Sequence, residues 1–358
     1  MLQTMNATFE IPITKASRSR IKEVDFTNLE FGKHIADHMF IADYAEGEWQ
    51  NIRIIPYGNL SLSPAILGLH YGQTVFEGMK AFRMIDGRIS IFRMDKHWER
   101  MNKSLHRMCM PQIPEDLFIS AVHKLVKVDR QWVPKQEDSS LYIRPLVFAT
   151  EVRLGVKVSD EYKFIILNSP VGPYYPKPLR VKVETEYVRA AEGGTGYAKC
   201  GGNYGGSFYA AYLAKKQGFD QVLWTDSKEH KYFDEAGTMN LMFIFDGTLV
   251  TPPISTAILD GVTRASILEL ARDMNVPYEE RRVSIAEVKD AIKKGILKEA
   301  FGAGTAAVVA PIKTISIYGK DYDLPAWNEN SFMIKVKNQL SDIRTGRQPD
   351  LHGWNYII

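Results

Sequence analysis

The sequence predicts an α+β protein of two domains, and three observations carry that reading. Both halves mix hairpin-like strand pieces with helical segments, and a proline-rich stretch sits near the middle of the chain. The length, 358 residues, asks for about two domains at roughly 100–200 residues each.

The elements follow in order. From 52 to 92, the pieces NIRIIPYG, MKAFRMI and RISIF are separated by turn signals at Pro56-Tyr57-Gly58 and Asp86-Gly87 and read as antiparallel hairpins. Asp95 is the expected N-cap of a helix over KHWERMNKSLHRMCM, and Pro114-Glu115-Asp116 opens another through about Val128. Strands LYIRPLVFAT and YKFIILNSP follow. The stretch NSPVGPYYPKPL (168–179) holds four prolines and a glycine, so neither helix nor central strand is expected there. It is read as the interdomain loop between a smaller N-terminal domain, 1–167, and a larger C-terminal one, 180–358. In the second half, GGNYGGSFYAAYLAKKQGF has a Gly-rich entry, a helical body and a stop at Gly218. Strands QVLW, LMFIF and TLVTPP lead to a helix at GVTRASILELARDM. Ser284 and Glu287 make a capping box, and NSFMIKVKNQLSDIRTG supplies a last helix.

Composition excludes several classes. Hydrophobic residues at 45% and charged residues at 24% are ordinary for a folded globular protein. A net charge of +3 is too small to mark a nucleic-acid binder. Two cysteines, Cys109 and Cys200, rule out a disulfide framework or a cysteine zinc site and fit a reducing compartment. MLQTMNATFEIPITK lacks a secretory pattern and the longest apolar runs are far below about 18 residues, so a cytoplasmic protein with no membrane partner is expected. The Asn-x-Ser/Thr triplets at Asn6, Asn59 and Asn102 are then chance matches.

Most familiar chemical motifs are absent. His34 and His38 could share a helix face as metal ligands, but no third ligand is recognisable, and hydrogen-bonded or surface histidines are the expected reading. There is no nucleophile elbow and no P-loop, and the glycines of EGGTGYAKCGGNYGG (192–206) miss the dinucleotide fingerprint. That stretch instead sets Lys199 among small residues. Glycines permit close approach of a ligand, and a lysine held there can become an imine-forming amine; the plain alternative is a turn with an exposed lysine. Asp260-Gly261-Val262-Thr263 opens a helix, and Gly302-Ala303-Gly304-Thr305 adds a second run of amides. Each could bind a phosphate, or be an ordinary cap or turn.

YFDEAGTMNLMFIF (232–245), with KCGGNYG (199–205) upstream and FGAGTAAVVAPI (301–312) downstream, resembles the branched-chain amino-acid aminotransferases. These are fold type IV pyridoxal-phosphate enzymes. The likeness extends to FGKHIADHMF (31–40), LHYGQTVFEGMKAFR (69–83), LYIRPLVFATE (141–151), GPYYP (172–176) and LDGVTRASILELARD (259–273), in order along nearly the whole chain.

The resemblance implies pyridoxal 5'-phosphate as cofactor, with Lys199 as the amine that bonds to it and later moves the substrate proton. It implies that Glu235 pairs with the pyridine nitrogen and that Tyr204 hydrogen-bonds the cofactor's phenolate oxygen. Arg93, Val262, Thr263 and Thr305 are implied at the phosphate. For substrate, Phe31, Tyr71, Phe76 and one of Tyr174 and Tyr175 are implied as apolar wall, and Tyr142 and Arg144 as the site for the second carboxylate of glutamate or 2-oxoglutarate. Thr238 and the amides of Thr305-Ala306 are implied at the α-carboxylate. A homodimer is implied as well, with sites near its interface and Tyr71 reaching the partner's site. The reaction implied is ping-pong transamination of leucine, isoleucine and valine with 2-oxoglutarate. Alternatives of the same fold are a D-amino-acid aminotransferase or an aminodeoxychorismate lyase, which Tyr142-Ile143-Arg144-Pro145 and the Gly-Thr-Ala run argue against. A non-catalytic phosphate-ligand module would not need both Lys199 and Glu235. No metal is expected. Some relatives carry a Cys-x-x-Cys pair after Gly-Thr-Ala, where this chain reads Ala307-Val308-Val309-Ala310, so no thiol switch is expected there. Cys200 is expected to be a packed small residue.

Overall fold

The computed structural model describes residues 10–175 and 177–358. The first nine residues of the stretch read above for a leader, Asn6 among them, and Pro176 of GPYYP lie outside the described residues. In chain order the elements are β1 (His38–Ala45), β2 (Glu48–Pro56), α1 (Leu67–Tyr71), β3 (Thr74–Phe76), β4 (Met79–Arg83), β5 (Ile89–Phe92), α2 (Met94–Arg107), α3 (Glu115–Val128), β6 (Ser140–Ala149), β7 (Tyr162–Val171), β8 (Leu179–Val183), α4 (Gly201–Lys216), β9 (Gln221–Thr225), β10 (Phe233–Ala236), β11 (Met239–Phe245), β12 (Thr248–Thr251), α5 (Val262–Asp273), β13 (Tyr278–Glu280), α6 (Ile285–Lys293), β14 (Leu297–Gly304), β15 (Val308–Ile317), β16 (Lys320–Asp323), α7 (Phe332–Thr345) and β17 (Asn355–Ile357). The α+β class follows directly.

The described residues fall into two compact units. The first holds the chain through Tyr174, together with Ala198–Gly202 and Ser341–Ile358; the second holds Tyr175–Tyr197 and Asn203–Leu340. This corrects the expectation that 180–358 form one domain. Ala198–Gly202 is stitched to β3, because Phe76 donates its N–H to Lys199 O at 3.0 Å and Cys200 bridges to Val75. Ser341–Ile358 belongs to the first unit because β17 pairs with β5.

The first unit is built on an antiparallel sheet in the order β17-β5-β4-β6-β7-β1-β2, with β3 also on β6. Helix α3 buries Leu117, Phe118, Ala121, Val122 and Leu125 at helical spacing and packs on β1 and β7. Burying each such large apolar side chain contributes roughly 1.5–3 kcal/mol. The β4–β5 hairpin turns at Gly87 as expected, with φ 84°. The Pro56 turn is not a hairpin. β2 pairs backward with β1 through Glu46-Gly47, whose φ values of 55° and 87° suit a two-residue turn. The 168–179 stretch is also not free of strand, since Asn168–Val171 completes β7. Pro170 is tolerated because β1 pairing stops at Leu167, leaving that end of β7 bonded on one side.

In the second unit, the pairings β10–β9–β8–β15–β14–β11–β10 close a six-stranded ring that mixes parallel and antiparallel neighbours. Val181, Leu223, Phe233, Leu241, Phe243 and Ile315 belong to its core. Helices α5 and α6 pack on β14. Half of the expected capping box forms. Ser284 Oγ accepts the Glu287 N–H at 3.1 Å, while the Glu287 carboxylate turns to Arg281. Glu299, from β14, accepts the N–H groups of Phe332 and Met333 at 2.8 and 2.9 Å and so caps α7 from a distance.

Candidate active site

In the first unit Lys199 is held by its backbone. Its N–H donates to Ser104 Oγ at 2.9 Å, and its neighbours Ala198 and Cys200 are each 1% exposed in the core, which bears out Cys200 as a packing residue. The ammonium lies 4.8 Å from the Phe76 ring centroid. Ser104 belongs to the face of α2 that also carries His97 and Arg100. These two converge on Glu77, which has no exposed surface. Arg100 donates Nε to Glu77 Oε1 at 2.6 Å and Nη2 to Oε2 at 2.9 Å, and His97 Nδ1 lies 2.8 Å from Oε2. Burial pushes the Glu77 carboxyl up, yet the Arg100 charge and these hydrogen bonds outweigh it and hold the group well below the usual carboxylate range. Burial likewise lowers His97 despite its bond to Glu77, with the Arg100 and Lys199 charges adding to the effect, so the imidazole is a neutral donor.

Arg93 does not share this face. It stands at the N-cap of α2 with φ 50°, the place expected of Asp95, and its guanidinium lies 5.2 Å from the Trp354 ring centroid. At 1.5 Å per residue, Arg93 starts about 16 Å along the helix from Ser104, and Arg100 about 6 Å. Sequence reasoning therefore chose the arginine that starts farther along α2 from Ser104. The signal for the other was the spacing His97-Arg100-Ser104 together with Glu77, a carboxylate embedded in an apolar strand sequence.

Five of the implied substrate residues stand together in the same unit. Phe31 packs edge-on against Tyr142 and Tyr174 at 4.8 and 4.9 Å. Arg144 donates Nη2 to Tyr142 Oη at 3.1 Å and lies 4.7 Å from the Phe76 centroid. Tyr142 fits because Gly78 has no side chain, since a Cβ there would sit 1.9 Å from the hydroxyl. Tyr71 stands elsewhere, 43% exposed in α1, its hydroxyl donating to Leu154 O. Tyr175 belongs to the second unit, where it packs on the core and its hydroxyl accepts from Gln221 Nε2 at 3.2 Å. His34 and His38 share no helix. His38 begins β1, accepts the Ala16 N–H on Nε2 and meets Asp129 through Nδ1 at 2.7 Å. No metal-holding group of His, Cys, Asp and Glu occurs among the described residues.

In the second unit Glu235 is 2% exposed. Its Oε2 lies 2.7 Å from Arg189 Nε, and its Oε1 accepts the Leu259 N–H at 2.9 Å. Arg189 is anchored by donating Nη2 to Gly196 O at 3.0 Å and to Ala257 O. A fixed cation and a backbone donor both stabilise the ionised carboxylate. Sequence reasoning missed Arg189, which sits in no recognisable pattern. Asp234, next along β10, is pushed up to about 7 by burial first and then by the neighbouring Glu235 and Asp226 charges.

Backbone groups gather around the same end of that sheet. Glu235, Asn240 and Ala303 form one row across β10, β11 and β14. The Gly237-Thr238 turn and the turn holding Thr305 and Ala306 lie just beyond this row. Asn240 donates Nδ2 to Leu259 O at 2.8 Å, so the segment opening α5 runs past the Glu235 network. Gly261 makes that approach possible, because a Cβ there would fall 1.9 Å from Asn240 Oδ1. No side chain caps α5, whose first residues Val262 and Thr263 are buried. Uncapped first-turn amides suit a phosphate. Tyr204 lies in the first turn of α4, half-buried.

The sequence model of the class IV amino-transferase family matches residues 74–315. Branched-chain-amino-acid transaminase 1 of Bacillus subtilis (strain 168) is 47% identical over 339 residues, covering 93% of this chain and 95% of that protein. Branched-chain-amino-acid aminotransferase 2 of the same organism is 44% identical over 334 residues, covering 92% of each. Among solved structures, the branched-chain amino acid aminotransferase of Thermobaculum terrenum in its PLP-form superposes with a TM-score of 0.72 at 22% identity, covering 89% of this chain and 97% of that one, and so shares the fold. With a family match over well over half its length, a lysine set between β3 and α2, and a buried carboxylate locked to an arginine, this chain belongs to the class IV amino-transferase family.

Proposed function

We propose that this protein is a pyridoxal-phosphate-dependent aminotransferase that exchanges the amino group of leucine, isoleucine or valine with 2-oxoglutarate. The observation that carries the reading is the pairing of two chemistries in one family member: the Lys199 amine over Phe76, and the buried Glu235 carboxylate fixed by Arg189. The relatives at 44–47% identity, named as branched-chain enzymes, support the substrate class.

Pyridoxal 5'-phosphate supplies an electron sink for the bond to the substrate's α-hydrogen. Lys199 would hold the cofactor through its amine, and the same amine, when free, would take the substrate's α-proton as general base and return it as general acid. Glu235 would keep a proton on the ring nitrogen of that cofactor, with Arg189 holding Glu235 anionic and aimed. Tyr204 donates to the phenolate oxygen. The first-turn amides of α5 at Val262 and Thr263, with Thr305, hold the phosphate, and Arg100 replaces Arg93 as its arginine on the strength of its place beside Ser104.

The two substrates make different demands. Phe31, Phe76 and Tyr174 form an apolar wall for a branched side chain, while Arg144 and Tyr142 receive the distal carboxylate of glutamate. Thr238 and the amides of Thr305 and Ala306 hold the α-carboxylate. Tyr71, exposed as it is, serves the partner of a homodimer, and the compartment is the cytoplasm. No helix is long and apolar enough to cross a membrane among the described residues. The test is a steady-state panel of L- and D-amino acids against 2-oxoglutarate on cofactor-loaded enzyme. Turnover confined to L-leucine, L-isoleucine, L-valine and L-glutamate supports the reading, and preference for D-amino acids overturns it.

A further inference from the structure

Phe31 stands in a segment, 24–37, that forms neither strand nor helix. Its place is set by the closure of the loop around it. On the near side, Ile13 bridges Ile54 and the Thr14 N–H donates to Ile54 O at 2.9 Å, which lays the incoming chain along β2. On the far side the chain enters β1 at His38. Asp37 joins the two sides. Its Oδ1 accepts the Arg20 N–H at 2.8 Å, and its Oδ2 accepts the Ser19 hydroxyl at 2.5 Å and the Trp132 indole N–H at 2.9 Å. Arg20 ties back across the same neck, donating Nη2 to Ile35 O at 3.1 Å and to Ala36 O at 2.7 Å. Burial pushes the Asp37 carboxyl up, but the Arg20, Ser19 and Trp132 donors outweigh it and hold the group below the ordinary aspartate value.

The loop closed in this way, 20–36, packs back on the first unit. The Phe26 ring lies 6.4 Å from that of Trp132, whose indole bonds Asp37. Leu29 O comes so near Gly172 that a Cβ there would sit 3.3 Å from it. Two residues beyond Gly172, Tyr174 meets Phe31 edge-on, and Tyr142 meets it from β6. A compact loop with tied ends can hold a side chain as firmly as a strand does.

We propose that Asp37 is a positioning residue for substrate specificity: by tying Ser19, Arg20 and Trp132 across the neck of this loop, it seats Phe31 in the wall that receives the branched side chain. The inference rests on the apolar wall of the proposed function, and Asp37 acts through Phe31. An ionised carboxylate can accept all three donors, whereas an asparagine turns an NH2 toward one side of the neck and leaves donors facing donors. Phe31 then loses its fixed place against Tyr142 and Tyr174. A leucine side chain, reaching farthest toward the wall, suffers most, because each methylene in such a pocket is worth about 10–200-fold in discrimination.

The test is the ratio of kcat/KM for L-leucine to that for L-2-aminobutyrate, whose side chain is two carbons shorter, on holoenzymes of equal cofactor content. Asp37→Asn should lower this ratio about tenfold and Phe31→Ala by at least as much. Added to Phe31→Ala, Asp37→Asn should change the ratio no further, an outcome that general loosening of the fold would not give. A lowered ratio in Phe31→Ala with an unchanged one in Asp37→Asn overturns the proposal and leaves the wall standing. A second tenfold fall in the double variant overturns it as well. An unchanged ratio in Phe31→Ala removes the wall from the proposed function, and this proposal with it. Arg20→Met, at a partly exposed position, opens the same neck without touching the carboxylate. It should shift the ratio in the same direction by about threefold, and an unchanged ratio there contradicts the role of the neck.

Discussion

In the first unit the functional groups are side chains hung from an antiparallel sheet and one helix, acting through their own charges and rings. In the second, the binding proposed above falls mostly to backbone amides near the buried Arg189–Glu235 ion pair. Lys199, Arg100, Arg144 and Tyr142 can each be altered singly, and each alteration removes a defined charge or hydroxyl. Val262, Thr263, Thr305 and Ala306 offer amides that no side-chain change deletes, so the second unit is vulnerable chiefly at Glu235 and Arg189. If the proposed roles hold, the difference predicts that catalytic chemistry and cofactor retention can be separated by mutation in this protein.

The largest expected effect is on Lys199. Lys199→Ala should lower turnover by about 10⁴-fold or more while the phosphate amides still retain cofactor, as read by steady-state assay and by cofactor content after gel filtration. Arg189→Met should come next. Glu235 would lose its cation, and single-turnover rates with leucine should fall about 10²-fold, with partial recovery in Arg189→Lys. An unchanged rate would mean that the Leu259 N–H alone suffices, and the contrast between the units would weaken. Arg144→Ala should raise the glutamate KM by roughly 10–100-fold, the worth of a charge-assisted hydrogen bond, and leave leucine within about threefold. Equal losses for both substrates would remove Arg144 from the distal carboxylate.

The smallest effect concerns stability. Asp234 keeps its proton up to about pH 7 in the folded protein, whereas an ordinary aspartate loses it near 3.8. The native state therefore loses stability as pH rises from about 4 to 7, and the loss is complete above that range. Asp234→Asn should stabilise the protein by about 1–2 kcal/mol at pH 8 and have no effect near pH 3.5, measured by urea unfolding.

Much of this was legible in the sequence, for identifiable reasons. Helix α3, the Gly87 hairpin and the Ser284 cap rest on local spacing and turn chemistry, and local rules recovered them. The β1–β2 hairpin and the end of β7 were missed because pairing partners decide them: Pro170 sits in a strand only because β1 has already ended. Lys199 and Glu235 were legible through their motifs. Arg189 was not, since its contact with Glu235 is made across a distance in sequence, and the proposal of Arg100 in place of Arg93 turns on which face of α2 meets Ser104. The return of Ser341–Ile358 to the first unit left no local trace either, and that segment brings Arg344 onto Phe82 and Phe92.

The central claim is that Lys199 carries the α-proton of an L-branched-chain amino acid, and isotope exchange tests it most directly. Holoenzyme mixed with α-deuterated L-leucine in the absence of any oxo acid should change its cofactor spectrum rapidly and wash deuterium from the recovered leucine. Lys199→Ala should show no washout on the same timescale. Washout by Lys199→Ala at the wild-type rate, or equally fast washout from α-deuterated D-leucine, would contradict the account.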